Sequence, residues 1–477
     1  MPLPAEIESR QALSHDLPRE LGLPDLVLTQ ILFIVGLPWV GVAAKQGPAH
    51  VVFWLIAMAL FYVPSAVVVI HLNRRMPLEG GLYQWAKLGF NEAMGFLVAW
   101  NLWLFAILNT SETGLQITQY LPYVVGPGIE RWTGNRWIIM LVSAATFGAL
   151  VWLAIRGLSL GKWVHKSGGA LLITTFVLLI AVPWLNVAKG TLPAFHPLAT
   201  AAPVASLMSL NLLGKMGFGA LGGFEYMAIL AGETRAPARS VTRSVFIAAP
   251  VIALMFVLGT STVVAYVPNA DIDLIGPVAQ VLRIGYGPLG LAAPLVTAAI
   301  LMTLAMRVGQ ASVAFTAVAR LPMVAGWDDL LPAWFSRLHA TYRTPVNSIL
   351  LVGATSFAIA VLSLVGVGHA EAFQLLFNAS GIFYALTYVV MFAIPLFGLR
   401  HVDPRPPLWL RLASLSGLLM TILYIVLSVV PIIKVESVAT FALKITSMIV
   451  AMNLLGIAIL WSARRRTAAA AAAAGPS

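Results

Sequence analysis

Two stretches decide the reading of this chain: Gly36-Leu37-Pro38-Trp39-Val40-Gly41 and Gly217-Phe218-Gly219-Ala220-Leu221-Gly222-Gly223. Each lies in the middle of an apolar run long enough to cross a bilayer. Pro38 removes a backbone donor and collides with the preceding turn, and four glycines in seven residues weaken the second run. Helical glycine also serves close packing in membranes, so either break alone fits a kink as well as a site. Backbone at membrane depth has to satisfy its own hydrogen bonds, so a non-helical stretch is tolerated only where it lines a cavity or the protein interior.

Working outward, the chain has 477 residues, 60% hydrophobic and only 10% charged, with a mean hydropathy of +0.89. A soluble domain carries about 25% charged residues, so a water-soluble enzyme, a coiled coil and a disordered chain are excluded. Apolar windows and breakers predict an all-α polytopic membrane protein. Its spans fall near 27–45, 50–71, 95–122, 136–156, 168–188, 205–230, 244–267, 291–319, 346–366, 371–398, 408–431 and 437–461. The two breaks then fall in spans 1 and 6, corresponding positions if spans 1–5 (27–188) and 6–10 (205–398) are two repeats. Five is odd, so the second repeat starts on the opposite side of the membrane and the repeats are inverted. Paired interrupted segments in such repeats point to the binding site of a secondary transporter. Spans 11 and 12 (408–461) are additional. Residues 1–26 read as a cytoplasmic tail without the features of a cleaved signal. Residues 462–477, with the Ala468–Ala474 run, read as a low-complexity cytoplasmic tail.

With the N-terminus inside, twenty of the 29 Lys and Arg fall in inner segments and six in outer ones. That asymmetry places both termini in the cytoplasm. It also accounts for the net charge of +11 without a nucleic-acid partner. There is no cysteine, hence no disulfide or thiolate metal site, and no metal-ligand cluster, phosphate loop or nucleophile arrangement supports a cofactor, ATP use or an enzyme. His71, His165 and His339 read as solvated loop residues.

Charges inside spans are costly and functional by default. Glu112 in span 3, Glu225 directly after the span 6 glycines and Arg307 in span 8 stand out. An Arg307 ion pair with Glu112 or Glu225 is the expectation, as a coupling device or as a pair that fixes packing. A lone buried carboxylate suits proton coupling, and a fixed Arg307 charge disfavours sodium nearby. Lys215 is expected to snorkel out of span 6. Trp39, Phe218, Phe224 and Tyr226 read as packing or as gates over a substrate. Glu233 and the arginines of the Gly232–Arg239 segment read as a re-pairing hinge.

Three motifs carry a family resemblance. Pro77-Leu78-Glu79-Gly80-Gly81-Leu82-Tyr83-Gln84-Trp85 resembles the Pro-x-x-Gly-Gly-x-Tyr-x-Trp segment of amino acid–polyamine–organocation (APC) transporters. Gly223-Phe224-Glu225 with Ala231-Gly232-Glu233-Thr234-Arg235-Ala236-Pro237 is similar to their span 6 signature. Arg320-Leu321-Pro322, Leu331-Pro332 and Thr344-Pro345 resemble their loop between spans 8 and 9. The resemblance runs from about residue 25 to 460. It implies a five-plus-five inverted-repeat (LeuT-like) core, alternating access, and an amino acid or polyamine held at the broken helices. The implied cradle is Gly36, Leu37, Pro38, Trp39 and Gly41 with Gly219, Ala220, Gly222, Gly223, Phe224 and Glu225. Ser111-Glu112-Thr113 is similar in position to an acidic stretch of the polyamine-uptake branch. Span 1 departs from the family's usual Gly-Ser-Gly break, and Arg307 then becomes a candidate carboxylate clamp. The resulting expectation is a proton-coupled or exchanging permease of the cytoplasmic membrane. Its rivals are a carrier of the same fold for a nucleobase or organic anion, and a sensor that moves nothing.

Overall fold

The computed structural model describes residues 19–474 apart from 291, 328–330, 364–368, 399–404, 434 and 436. The expected tail residues 1–18 and 475–477, with Arg10, Arg400 and Lys434, lie outside the described residues. Among the described residues the chain is helical, with one isolated parallel bridge between Leu21 and Thr234 and no extended strands. Among the described residues nine helices are long and apolar enough to cross a membrane, and Leu23–Ile34 with Leu37–Ala44, bent by 45°, makes a tenth if the pair is one broken span. The shorter apolar helix Val346–Leu362 and the divided segment Leu207–Glu233 stand where spans 9 and 6 were expected.

The helix-forming logic is local. Span 3 divides into Glu92–Ser111 and Thr113–Val125, joined at Glu112. Asn91 caps the first part by accepting a hydrogen bond from the Met94 amide at 3.0 Å, the role short polar side chains play at helix starts. Span 2 carries a π turn at Met58–Tyr62. The last helix runs on through Ala474, so the low-complexity alanine-rich tail continues the helix of span 12; alanine has the highest helix propensity. A shell of exposed Trp, Leu and Val side chains, including Trp152, Leu362, Leu412 and Leu454, surrounds a core almost free of polar contact with solvent. Exposed apolar surface on that scale is what a lipid-facing protein presents.

At one end the segment before span 1 is strapped down. Leu21 N donates to Glu233 O at 3.1 Å and Leu21 O accepts from Arg235 N at 3.0 Å. Lys162 pairs with Glu20 at 2.5 Å and Lys166 with Asp25 at 2.8 Å. Beneath the strap, Arg320 makes a two-pronged pair with Glu233 at 2.8 and 2.9 Å. Glu79 Oε2 accepts from the Gly232 amide at 2.6 Å. Burial, reinforced by the Glu233 charge, pushes the Glu79 carboxyl well above the ordinary carboxylate range. Glu233, read from sequence as part of a re-pairing hinge, is held here by Arg320. His165 also departs from the expected solvated loop: it is buried, 3.3 Å from the Ser312 hydroxyl, because span 5 begins a few turns earlier, at Leu158.

Candidate functional site: a cavity between two broken helices

The break in span 1 follows from Pro38. The first helix ends at Ile34, Val35 and Gly36 take extended ψ values of 88° and 127°, and a new helix starts at Leu37. Pro38 then sits in the first turn of that helix, where its missing donor costs nothing. The carbonyls of Leu32 and Val35, left without intrahelical partners by the break, both accept from the Gln310 Nε2 amide at 2.8 Å. Gln310 is one turn along from Arg307 in span 8, and its Oε1 accepts from Arg307 Nη1 at 2.7 Å.

The break in span 6 has a different form. A helix over Leu207–Gly214 loosens into a π turn at Lys215–Gly219, and a 3₁₀ stretch resumes at Phe224. Gly223 sits between them at φ +139°, a conformation L side chains rarely adopt. Its amide donates to the Tyr388 hydroxyl at 2.7 Å. The two breaks touch: a Cβ at Gly219 would lie 2.4 Å from Trp39 Cη2. Only glycine lets the indole lie flat against this backbone.

A cavity of about 100 Å³ opens between the breaks. Its walls are Gly36, Pro38 and Trp39 from span 1, Gly219 and Gly222 from span 6, Asn109 and Glu112 from span 3, and Arg307 and Gln310 from span 8. Phe377, Ser380 and Tyr384 from span 10 and Tyr424 from span 11 close it. The Trp39 ring packs tilted against Phe377, with centroids 4.7 Å apart. Glu112 is 1% exposed; Oε1 accepts from Gln116 at 3.0 Å, while Oε2 has no partner within the protein. Arg307 lies in the electrostatic field of Glu112, but its hydrogen bond goes to Gln310. The cavity lining therefore includes both a buried carboxylate with a free oxygen and a half-buried guanidinium.

Glu225 is placed elsewhere. It is fully buried behind Tyr384, outside the cavity lining, with Oε1 accepting from the Tyr384 hydroxyl and Oε2 from that of Tyr388. Leu37, Gly41, Ala220, Gly223 and Phe224 are likewise not in the lining: a Cβ at Gly41 would meet Pro277 at 2.9 Å, and Phe224 stacks on Tyr62 at 4.8 Å. Gly36, Pro38, Trp39, Gly219, Gly222, Glu112 and Arg307 do come together. Lys215 does not snorkel; it is 1% exposed and donates to Asn378 Oδ1 at 3.0 Å. Sequence reading missed Gln310, Tyr384, Tyr388 and Tyr424. A glutamine three residues after an arginine inside an apolar span was a usable signal for the first; the tyrosines gave none, because aromatics at helical spacing are the ordinary content of a core.

Broken apolar helices packed across a small charged cavity define a membrane transporter rather than an enzyme. The profile of the amino acid permease family matches residues 23–459, and the chain belongs to that family, part of the APC superfamily. It is 25% identical over 391 residues to an uncharacterised transporter of Legionella pneumophila, covering 81% of this chain and 82% of that one. A probable agmatine/putrescine antiporter of Lactococcus lactis is 20% identical over 398 residues, covering 82% and 83%. An aspartate/glutamate permease of the same species is 25% identical over 413 residues, covering 81% and 83%.

Proposed function

We propose that the protein is a secondary active permease for amino acids or polyamines, working by alternating access in the cytoplasmic membrane, with a proton coupled to transport or a second solute exchanged. The observation that carries this reading is the cavity at the two breaks, with Glu112 and Arg307 facing it from spans 3 and 8. A substrate amine suits the free Glu112 oxygen, and a carboxylate suits the remaining Arg307 donors. The breaks add amide and carbonyl groups of fixed direction. The relatives named for agmatine/putrescine antiport and for aspartate/glutamate keep both chemistries open. On this reading 27–188 and 205–398 are the inverted repeats, 408–461 the additional spans, and both termini are cytoplasmic. Glu225, clamped by two tyrosines, acts behind the cavity as a proton site or as a brace of span 6 against span 10.

The test is thermal stabilisation of the purified protein by amino acids, di- and polyamines and nucleobases, at about pH 5.5 and about pH 7.5, since a ligand of the folded form raises stability by RT ln(1 + [L]/Kd). A pH-sensitive shift with one amine class supports the reading. A shift with nucleobases alone, or stabilisation without uptake into proteoliposomes, replaces it with another carrier or with a sensor. Wild-type pH-dependent uptake in both Glu112→Gln and Glu225→Gln removes the carboxylates from the mechanism.

A further inference from the structure

Away from the walls that hold Glu112 and Arg307, three helices each offer a polar pair four residues apart, hence on one face. Asn211 and Lys215 come from span 6, Gln374 and Asn378 from span 10, and Tyr424 and Ser428 from span 11. All six are buried. Lys215 Nζ donates to Asn378 Oδ1 at 3.0 Å and lies 5.7 Å from the Tyr424 ring centre. Asn211 Nδ2 donates to Val430 O at 3.1 Å. Three polar atoms of the group find no partner in the protein, Asn211 Oδ1, Gln374 Oε1 and Asn378 Nδ2, and the Tyr424 and Ser428 hydroxyls have at most each other. Among the described residues no carboxylate pairs with Lys215.

Buried polar atoms are nearly always hydrogen-bonded, to protein or to ordered water. The unpaired set mixes acceptors, a donor and hydroxyls. An anion suits only the donors and a metal cation only the acceptors, whereas water serves both. The lysine head group has two further hydrogens to place and no counter-charge, an arrangement that marks function inside a membrane. Tyr424 also lines the substrate cavity, and a Cβ at Gly381 would fall 1.8 Å from its hydroxyl, so the group adjoins that cavity.

We propose that these six side chains form a buried water site at which Lys215 releases and takes up a proton: the N–H bond electrons stay on Nζ while the proton passes to a site water, and the reverse step restores the ammonium. The site is independent of which solute is carried. The other titratable groups on the elements packed against Lys215 are engaged elsewhere or distant. Tyr62 donates to Ala249 O, His50 lies 3.4 Å from the Ser261 hydroxyl, and Tyr384 and Tyr388 donate to Glu225. Glu371 pairs with Lys444, and Arg411 is exposed at the start of its helix; the His369 side chain lies outside the described residues.

The test uses the full chain in lipid nanodiscs. Radiolytic hydroxyl labelling, which reports side chains beside bound water, is expected to modify Tyr424 several-fold faster than Tyr384, which lines the same cavity and is no more buried but donates to Glu225. Equal rates at the two tyrosines overturn the water site. The thermal midpoint is then followed from about pH 5 to about pH 9, where a group that titrates differently in the two states sets the slope. Lys215→Met is expected to remove a one-proton contribution to that profile; a profile parallel to wild type overturns the proton step. If Lys215→Met does not fold, Asn378→Leu keeps the lysine and removes its acceptor. It is then expected to displace the profile along the pH axis, and an unmoved profile overturns the proposal equally. Absence of any solute effect in the stabilisation screen bears on the permease reading and leaves both readouts intact.

Discussion

Arg307 donates through Nη1 to Gln310 Oε1 at 2.7 Å, so the one arginine in the cavity wall is aimed by a neighbour that also holds the broken helix. The Gln310 amide closes the Leu32 and Val35 carbonyls, and its oxygen orients the guanidinium. One residue thereby ties the shape of span 1 to the direction of the charge in the cavity wall.

Replacing it separates the two arms. Gln310→Leu leaves two carbonyls of a broken helix and one guanidinium hydrogen unpaired, at a cost of about 1–3 kcal/mol for each buried polar group orphaned. The expected result is a clear fall in thermal midpoint and loss of transport. In an Arg307→Leu background the further loss of transport should be small, since residues in one network do not act additively. Additive losses in a double-mutant cycle measured by uptake would show that Gln310 does not work through Arg307.

Gly219 and Trp39 make a steric prediction with a built-in rescue. A methyl group at residue 219 would overlap the six-membered ring of the indole, with Cη2, Cζ3 and Cζ2 all within 2.9 Å. Gly219→Ala is therefore expected to cost about 1–3 kcal/mol of overpacking and to abolish transport. Trp39→Phe shortens the side chain and should restore folding to Gly219→Ala. If the single variant is as stable and active as wild type, the contact between the breaks is not as close as the structure has it.

Arg320 and Glu233 are 1% and 3% exposed in their side chains, a buried ion pair that also lies beside Glu79. Arg320→Met strands the Glu233 carboxylate beside Glu79 and is expected to destabilise the protein by about 3–5 kcal/mol. Arg320→Met with Glu233→Gln should recover much of that loss. Chemical unfolding of the single and double variants decides it: a single variant no less stable than the double removes the charge argument.

Glu79 gives a pH prediction whose sign is fixed. Its folded-state pKa is raised above the ordinary carboxylate value, so the folded protein holds this proton more tightly than the unfolded chain does. Its contribution to stability is then full below the ordinary carboxylate pKa and is lost as pH rises through the folded value. Glu79→Gln keeps an oxygen for the Gly232 amide and no longer ionises. The variant should lose less stability than wild type between acid and neutral pH, and a midpoint that falls as steeply as wild type's over that range contradicts the assignment.

Much of this architecture is legible in the sequence because its causes are local. Apolar runs of span length, Pro38 and the glycines from Gly217 to Gly223 act through hydration and backbone sterics within a few residues, and helices and breaks stand where those features put them. Glu112 and Arg307 are legible too, since a charge in an apolar run stands out wherever it packs. What each charge meets was not legible. Gln310 reaches carbonyls 278 and 275 residues away, Glu225 turns to tyrosines 159 and 163 residues on, and Lys215 finds Asn378 at a separation of 163. Those partners are chosen by how helices pack and by the need to satisfy every buried polar atom, conditions that exist only once the spans are brought together.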